Sequence, residues 1–309
     1  MSGSEVDAEA CLLAAIEWAR EGGRMIKEAW DRSLSGAESD AVAVEFKGTI
    51  DLVTEVDKAV ETLITRKIGE RFPQHAILGE EAAAEQGHYT LGDEPTWCID
   101  PIDGTTNFVH HFPFTCVSIG LCVNKRSLLG VVYVNPSKTS KHFPQSHAHI
   151  LCCSYNPILE ELFTAREGHG AFLNGRRLRV SACERIDQAV ISTNVGYIRK
   201  DDGIDFILEN MRVLLQKNVR SMRSLGSSAC EVCSVACGRL DAFYEFGIHA
   251  WDIAAAVCIL QEAGGVAVDP SGAPLDLTSR RVLAAAPGLV SPIVALLNTN
   301  PPFLPSFSP

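Results

Sequence analysis

The chain has 309 residues, 46% of them hydrophobic and 21% charged, with a formal net charge of -11. This composition is typical of a globular protein large enough for one α/β domain or two smaller ones. The acidic excess would repel nucleic acid and anionic membranes, which bind dense Lys and Arg, so we expect neither as a partner. The chain has no apolar run near the roughly 18 residues of a membrane span and no basic or apolar leader, which favours a cytoplasmic protein.

The eleven cysteines are scattered without the spacing of a disulfide framework. For an intracellular chain this predicts reduced, mostly buried thiols. Cys230, Cys233 and Cys237 would share one face of a helix, which favours packing in the core over a redox or zinc site.

Hydrophobic residues recur at helical spacing in two early segments, 12–30 and 56–72, and predict two amphipathic helices. Thr54 is a candidate N-cap for the second helix, and Asp57 follows it at the spacing of a capping box. A Gly-containing loop is predicted between the two helices, at 46–51.

Strand-like runs then follow. A turn at 124–126 separates two of them and predicts antiparallel pairing, while Asn174-Gly175 predicts a hairpin because both turn positions favour positive φ. The predicted strands are 96–100, 117–123, 128–133, 171–173 and 178–180.

From residue 189 the pattern alternates between short strands and helices, which is typical of an α/β arrangement. The helices are predicted at 206–217, 228–238 and 252–263.

Asp100 and Asp103 lie in the run Trp97-Cys98-Ile99-Asp100-Pro101-Ile102-Asp103-Gly104-Thr105-Thr106, at the end of an apolar strand and before a segment that can open a helix. The carboxylates can hold cations, and a helix start offers N–H groups to an anion. Asp-Pro and Asp-Gly are also common in turns, so the run alone leaves an ordinary turn open.

Other acidic residues occupy similar places: Glu80 and Glu81 follow an apolar strand, and Asp252 precedes an apolar helix. Buried acids are costly without a positive partner, so a shared cation site explains all of them together. Oxygen donors favour Mg²⁺ over zinc, which prefers His and Cys.

Four stretches together resemble the inositol monophosphatase family, in its order and spacing, from about residue 8 to residue 290. They are Asp51-Leu52-Val53-Thr54-Glu55-Val56-Asp57, Gly79-Glu80-Glu81, the run from Trp97 to Phe108, and Trp251-Asp252-Ile253-Ala254-Ala255-Ala256 with Glu262-Ala263-Gly264-Gly265. The resemblance implies a layered α-β-α-β-α sandwich within the α/β class and a lithium-sensitive hydrolase of phosphate monoesters that uses two to three Mg²⁺ ions. It also implies a homodimer.

The metal ligands that the resemblance implies are Glu80, Asp100, the carbonyl of Ile102, Asp103 and Asp252. It assigns catalytic roles to Glu80 and Thr105, which would orient a metal-activated water for in-line attack on phosphorus, with Asp57 behind Thr105. Two local alternatives stay open, because Asp57 can serve only the capping box and Thr105 can be a helix cap.

The substrate would be a small phosphorylated polyol, with inositol 1-phosphate favoured over galactose 1-phosphate or histidinol phosphate. A catalytically silent relative that binds phosphorylated ligands is the rival from another class. Ser228 can alternatively be a helix N-cap and His249 a packed loop histidine. The substrate-binding residues implied by the resemblance are Asp103, Gly104, Thr105, Gly226, Ser227, Ser228, Glu245, His249 and Asp252.

One segment, 134–155, interrupts the resemblance with 22 residues rich in Ser, Lys, Pro and His. A solvent-exposed loop and a sequence artefact such as a retained intron are both open explanations. We expect an α+β, metal-binding half with an antiparallel sheet at 1–188, and an α/β half that completes the active site at 189–309.

Overall fold

The computed structural model describes residues 6–34, 42, 44–46, 52–133, 161–196 and 198–304. The predicted inserted loop at 134–155 and most of the predicted loop at 46–51 lie outside these ranges. Phe46 itself ends a short strand rather than beginning a loop.

The helices of the described residues are α1 Ala8–Ser33, α2 Glu55–Arg71, α3 Glu80–Gln86, α4 Thr105–Val109, α5 Asp201–Gln216, α6 Ser228–Ala236, α7 Ala250–Glu262 and α8 Pro287–Val294. The strands are β1 Val44–Phe46, β2 Leu52–Thr54, β3 Ala76–Gly79, β4 Thr96–Asp103, β5 Cys116–Val123, β6 Arg126–Tyr133, β7 Leu162–Arg166, β8 Gly170–Leu173, β9 Arg176–Arg177, β10 Val190–Ser192, β11 Ser221–Arg223, β12 Ala242–Phe246, β13 Val266–Val268 and β14 Arg281–Ala285. None of these helices is long and apolar enough to cross a membrane.

The starts of the first two helices follow from local chemistry. Asp7 caps α1, because its Oδ1 accepts a hydrogen bond from the Ala10 N–H at 3.0 Å. Thr54 and Asp57 form the predicted capping box of α2, in which each side chain accepts from the other residue's backbone N–H. Both predicted helices are therefore confirmed.

The first sheet has seven strands in the order β3-β4-β5-β6-β7-β8-β9. Only β3 and β4 pair in parallel, and the turn between β5 and β6 has positive φ at Asn124 and Lys125. The Asn174-Gly175 hairpin is confirmed, but the predicted strand at 178–180 is wrong. The chain leaves the sheet at residues 178–180, since the Val180 N–H donates to the Ala263 carbonyl near the end of α7.

The second sheet has five strands in the order β11-β10-β12-β14-β13, and β14 pairs antiparallel with both of its neighbours. All of its strands follow residue 189, whereas the seven-stranded sheet ends before residue 188. The core nevertheless combines side chains from before and after that boundary, including Trp97, Val232 and Leu260. The division into two halves stays a prediction.

The helices form layers around the two sheets. α1 and α2 cover one face of the seven-stranded sheet, α6 and α7 lie between the sheets, and α5 and α8 cover the outer face of the five-stranded sheet. The predicted layered α-β-α-β-α sandwich of the α/β class is confirmed.

The middle layer approaches the seven-stranded sheet closely at two glycines. A Cβ on Gly130 would lie 1.9 Å from the carbonyl oxygen of Ala255, and one on Gly120 would lie 2.8 Å from the Ala255 nitrogen. Backbone meets backbone here, so no side-chain rotation can relieve the overlap. Glycine is therefore required for α7 to reach its place.

We expect Gly130→Ala to lower the free energy of unfolding by about 3 kcal/mol, because α7 would have to shift away from the sheet. Gly69→Ala is the matched control, since Gly69 lies in α2 with no atom within 4 Å of an added Cβ. It should raise the free energy of unfolding by about 0.5 to 1 kcal/mol. Urea unfolding checks both, and equal effects of the two substitutions would contradict the close approach.

Candidate active site

β4 carries Asp100 and Asp103 into the interior, and all eight residues of this strand are buried. The pairing of β4 with β5 shifts register between the two aspartates, and the chain then turns at Gly104 into α4. Gly104 has φ of 90°, a left-handed conformation that favours glycine. A Cβ there would lie 3.1 Å from the carbonyl oxygen of Gly226, so this turn brings the end of β4 against the segment before α6.

Four carboxylates predicted as one site repel each other in the structure. Burial, and next the Glu80 carboxylate, hold the pKa of Asp100 and of Asp252 well above the usual range. Burial also raises the pKa of Asp103 to about 6, with Glu80 among the further causes. Four acids from three separate parts of the chain are therefore brought into one region.

The donor chemistry of this region fits a divalent cation. Asp100 Oδ1 is buried and has no hydrogen-bond partner among the described residues. A buried acceptor without a partner lowers stability unless a cation or a hydrogen-bond donor contacts it. The surrounding acids can contribute only oxygen ligands, which Mg²⁺ prefers. The present side-chain positions do not close a site, because no group of three or more His, Cys, Asp or Glu in the described residues is arranged to hold a metal ion.

Asp103 is one reason why the acids do not form a closed metal site, because its carboxylate binds the start of α6. Oδ1 accepts from the Ser228 N–H at 3.1 Å, and Oδ2 accepts from the Ala229 N–H at 2.6 Å and from the Ser227 hydroxyl at 2.7 Å. The carboxylate thus caps α6 from another element and complements the positive end of that helix. A cation would have to use the lone pairs that these bonds leave.

Thr105 links the end of β4 to Asp57. Its hydroxyl lies 3.1 Å from Asp57 Oδ1 and 3.0 Å from the Ile102 carbonyl oxygen, and can donate to either. Asp57 Oδ2 meanwhile accepts from the Thr54 N–H at 2.9 Å. Asp57 therefore serves the capping box and Thr105 together, and burial raises its pKa to about 6.

The helix-cap alternatives for Thr105 and Ser228 are wrong. Gly104 is the N-cap of α4 and Ser227 that of α6, so both alternatives are displaced by one residue. Ser228 instead donates its hydroxyl to Glu245 Oε2 at 2.7 Å.

Asp252 and His249 lie together at the start of α7, which begins at Ala250 and not after Asp252. Asp252 Oδ2 accepts from the His249 N–H at 2.7 Å. The His249 ring stacks on Trp251 with centroids 4.4 Å apart, and Arg280 lies 3.0 Å from Nε2. His249 is thus a packed loop histidine at the edge of the acidic region, and its substrate role stays a prediction.

The polyol side predicted from Glu245 lies across from these acids on β12. Burial raises the pKa of Glu245 to about 7. Ser228 and the Asn194 amide both donate to its Oε2, at 2.7 Å and 3.1 Å. The region thus has a carboxylate-rich end and a second end suited to hydroxyl groups.

Several polar residues around the site were not predicted from the sequence. They include Asn107, which donates to the carbonyls of Phe114 and Leu225 at 2.7 Å each. They also include Asn194 and Glu231, which contact each other at 2.6 Å. The one available signal was Glu231, a charged residue within the otherwise apolar or small run of α6. Its partners lie too far along the chain for a local pattern.

The cysteines of α6 pack as predicted. Cys230 and Cys233 are buried, and Cys237 follows the last residue of the helix and is half-buried. Seven of the nine cysteines in the described residues are buried.

The chain matches the model of the Inositol monophosphatase family over residues 7–299. The chain belongs to this family. It is therefore a phosphatase that hydrolyses phosphate monoesters, and it depends on a metal as the family does. The resemblance read from the four sequence stretches is confirmed.

Individual relatives agree with the family assignment. An inositol monophosphatase of Dictyostelium discoideum is 47% identical over 290 residues, covering 94% of this chain and 96% of the relative. Inositol monophosphatase 1 of Homo sapiens is 41% identical over 276 residues, 89% of each chain. Among solved structures, the extragenic suppressor protein suhB from Bartonella henselae superposes with a TM-score of 0.76 at 29% identity, over 94% of this chain and 98% of that one. The IMPase of Thermotoga maritima gives 0.73 at 32% identity, over 93% and 96%.

We expect Asp103→Asn to lower the free energy of unfolding by about 1 to 2 kcal/mol, because one amide N–H₂ would face the donors that start α6. Asp187→Asn is the control, since Asp187 is exposed beside Arg185 and should unfold like the parent protein. Thermal unfolding measures both. A fully stable Asp103→Asn protein would show that the carboxylate does not hold α6.

Proposed function

We propose that the chain hydrolyses inositol 1-phosphate to inositol and inorganic phosphate with two to three Mg²⁺ ions. The observation that supports this most is the position of Thr105 and Asp57 beside the buried Asp100 and Asp103 and the half-buried Glu80 and Asp252, in a chain whose relatives are named inositol monophosphatases. Glu80, Asp100, the Ile102 carbonyl, Asp103 and Asp252 would hold the ions. When bound, Mg²⁺ supplies positive charge to the phosphate oxygens and lowers the pKa of a bound water.

The chain's own residues would orient the attacking water. With its proton directed to Asp57, the Thr105 hydroxyl has lone pairs left to accept a hydrogen bond from water. Glu80 would accept a hydrogen bond from the other proton of that water. This holds an oxygen lone pair in line with phosphorus, while the N–H groups of Gly104 and Thr105 donate to the phosphate oxygens.

The polyol would lie at the other end of the site. The Glu245 carboxylate is a good acceptor for vicinal hydroxyls, and its Oε2 is already fixed by Ser228. Gly226 and Ser227 would border the ring, and His249 and Asp252 would close the site from α7. Galactose 1-phosphate and histidinol phosphate remain the alternative substrates, since they offer similar hydroxyl or amine donors.

We also propose a homodimer, inhibition by lithium and a cytoplasmic location. The family resemblance supports the first two, and the cysteines, which lack the spacing of a disulfide framework, support the third.

The substrate proposal is tested by phosphate release from inositol 1-phosphate, galactose 1-phosphate, histidinol phosphate and adenosine 3',5'-bisphosphate, each with Mg²⁺ and with EDTA. We expect release only with Mg²⁺, and the highest kcat/KM for inositol 1-phosphate. If another ester gives a higher kcat/KM, that ester would replace inositol 1-phosphate as the proposed substrate. Equal release in EDTA would contradict the assigned role of Mg²⁺.

Thr105→Val should lower kcat by about 10² to 10³, because it removes the hydroxyl that orients water and leaves the side-chain volume unchanged. Thr105→Ser should keep most of the activity. Thr62→Val is the control, since Thr62 is exposed on α2 and its hydroxyl bonds only the Lys58 carbonyl. Full activity in folded Thr105→Val, judged by circular dichroism, would exclude Thr105 from the chemistry.

A further inference from the structure

Asn194, just after β10, joins two buried carboxylates and a loop. Its Nδ2 donates to Glu231 Oε2 at 2.6 Å and to Glu245 Oε2 at 3.1 Å, while its Oδ1 accepts from the Gly226 N–H at 3.0 Å. Both amide protons and the carbonyl oxygen are thus engaged. The reverse orientation would place the carbonyl oxygen against two carboxylates, so these contacts fix the amide.

Glu231 is fully buried on α6, and no described Lys or Arg forms a salt bridge with it. A buried acid of this kind is costly unless donors meet it. The Asn194 amide meets Oε2, and the Leu225 N–H meets Oε1 at 3.3 Å. Glu231 therefore holds the Asn194 side chain from one side and the start of the 225–228 segment from the other.

The 225–228 segment is the part of the proposed substrate site that these bonds restrain. Leu225 and Gly226 donate their N–H groups to Glu231 and Asn194, and the Leu225 carbonyl accepts from Asn107 at 2.7 Å. The segment ends at Ser228, whose hydroxyl binds Glu245. Each end of the segment is thus tied to a buried polar side chain.

Glu245 is restrained on one oxygen only. Both described donors, Ser228 and Asn194, bind Oε2, and no described residue donates to Oε1. A carboxylate fixed through one oxygen keeps the other in a defined direction for an incoming hydroxyl.

We propose that Asn194 and Glu231 are positioning residues that orient Glu245 and the 225–228 segment, and thereby favour polyol phosphates over esters that lack hydroxyls. This inference rests on the proposed function, in which Glu245 binds the polyol. Neither residue is among those proposed to bind the phosphate, so their effect belongs to recognition of the leaving group.

Kinetics on two esters test the selectivity. Asn194→Ala should lower kcat/KM for inositol 1-phosphate at least about tenfold more than for p-nitrophenyl phosphate, mainly through KM. If another polyol phosphate is the better substrate of the parent protein, that ester takes the place of inositol 1-phosphate. Glu231→Gln should act in the same direction with a smaller effect, because only one accepting oxygen is replaced.

Asn210→Ala is the matched control. Asn210 is equally a hydrogen-bonded asparagine, buried on α5, but its amide binds the backbone of Asn298. This substitution should reduce stability, but the ratio of kcat/KM on the two esters should stay the same as in the parent protein. A similar change of selectivity in Asn210→Ala, or equal losses on both esters in Asn194→Ala, would overturn the proposal.

Hydrogen exchange provides a readout that does not depend on the substrate. In Asn194→Ala, peptides covering residues 224–229 should exchange at least about tenfold faster than in the parent protein, and in Asn210→Ala they should not. Unchanged exchange in Asn194→Ala, or faster exchange without altered selectivity, would overturn the positioning role. Absence of turnover on inositol 1-phosphate in the parent protein would instead count against the proposed substrate, and exchange would still decide the role of Asn194.

Discussion

The hydrogen bonds between Asp103 and the start of α6 connect the two ends of the candidate site. Asp103 ends a strand of the seven-stranded sheet, and α6 leads through Ser228 to Glu245 in the other sheet. The distance between the acidic end and the proposed polyol end is therefore set by helix capping. A change in that cap would alter both stability and the span that a substrate must bridge.

The electrostatics of the site explain how an acidic protein can act on an anionic ester. The net charge of -11 would by itself repel phosphate. Within the site, however, Asp100 and Asp252 lie close to other carboxylates, and among the described residues no Lys or Arg forms a salt bridge with either of them. Divalent cations both relieve that repulsion and reverse the local field. The negative charge of the site's carboxylates is thus what attracts the metal ions that an anionic substrate needs.

Local patterns in the sequence predicted most of the fold. The Thr54–Asp57 capping box and the Asn174-Gly175 turn depend on neighbouring residues, so a short stretch is enough to specify them. The true role of Ser228 could not be read this way. Its hydroxyl binds Glu245 on another element, and the N-cap one residue earlier is satisfied by an acid 124 residues away. The Asn194 contacts were likewise invisible, because the tertiary fold alone brings their partners together.

The contact between Gly130 and Ala255 has a consequence for how this protein can vary. Ala255 lies three residues after Asp252 on α7, and the helix rests at that point directly on the backbone of β6. The position of Asp252 in the acidic region therefore depends on the absence of a side chain at residue 130, which meets α7 within one helical turn of Asp252. Substitutions at residue 130 that leave the chain folded would still displace a carboxylate that they never touch, so inactive variants can arise well outside the site.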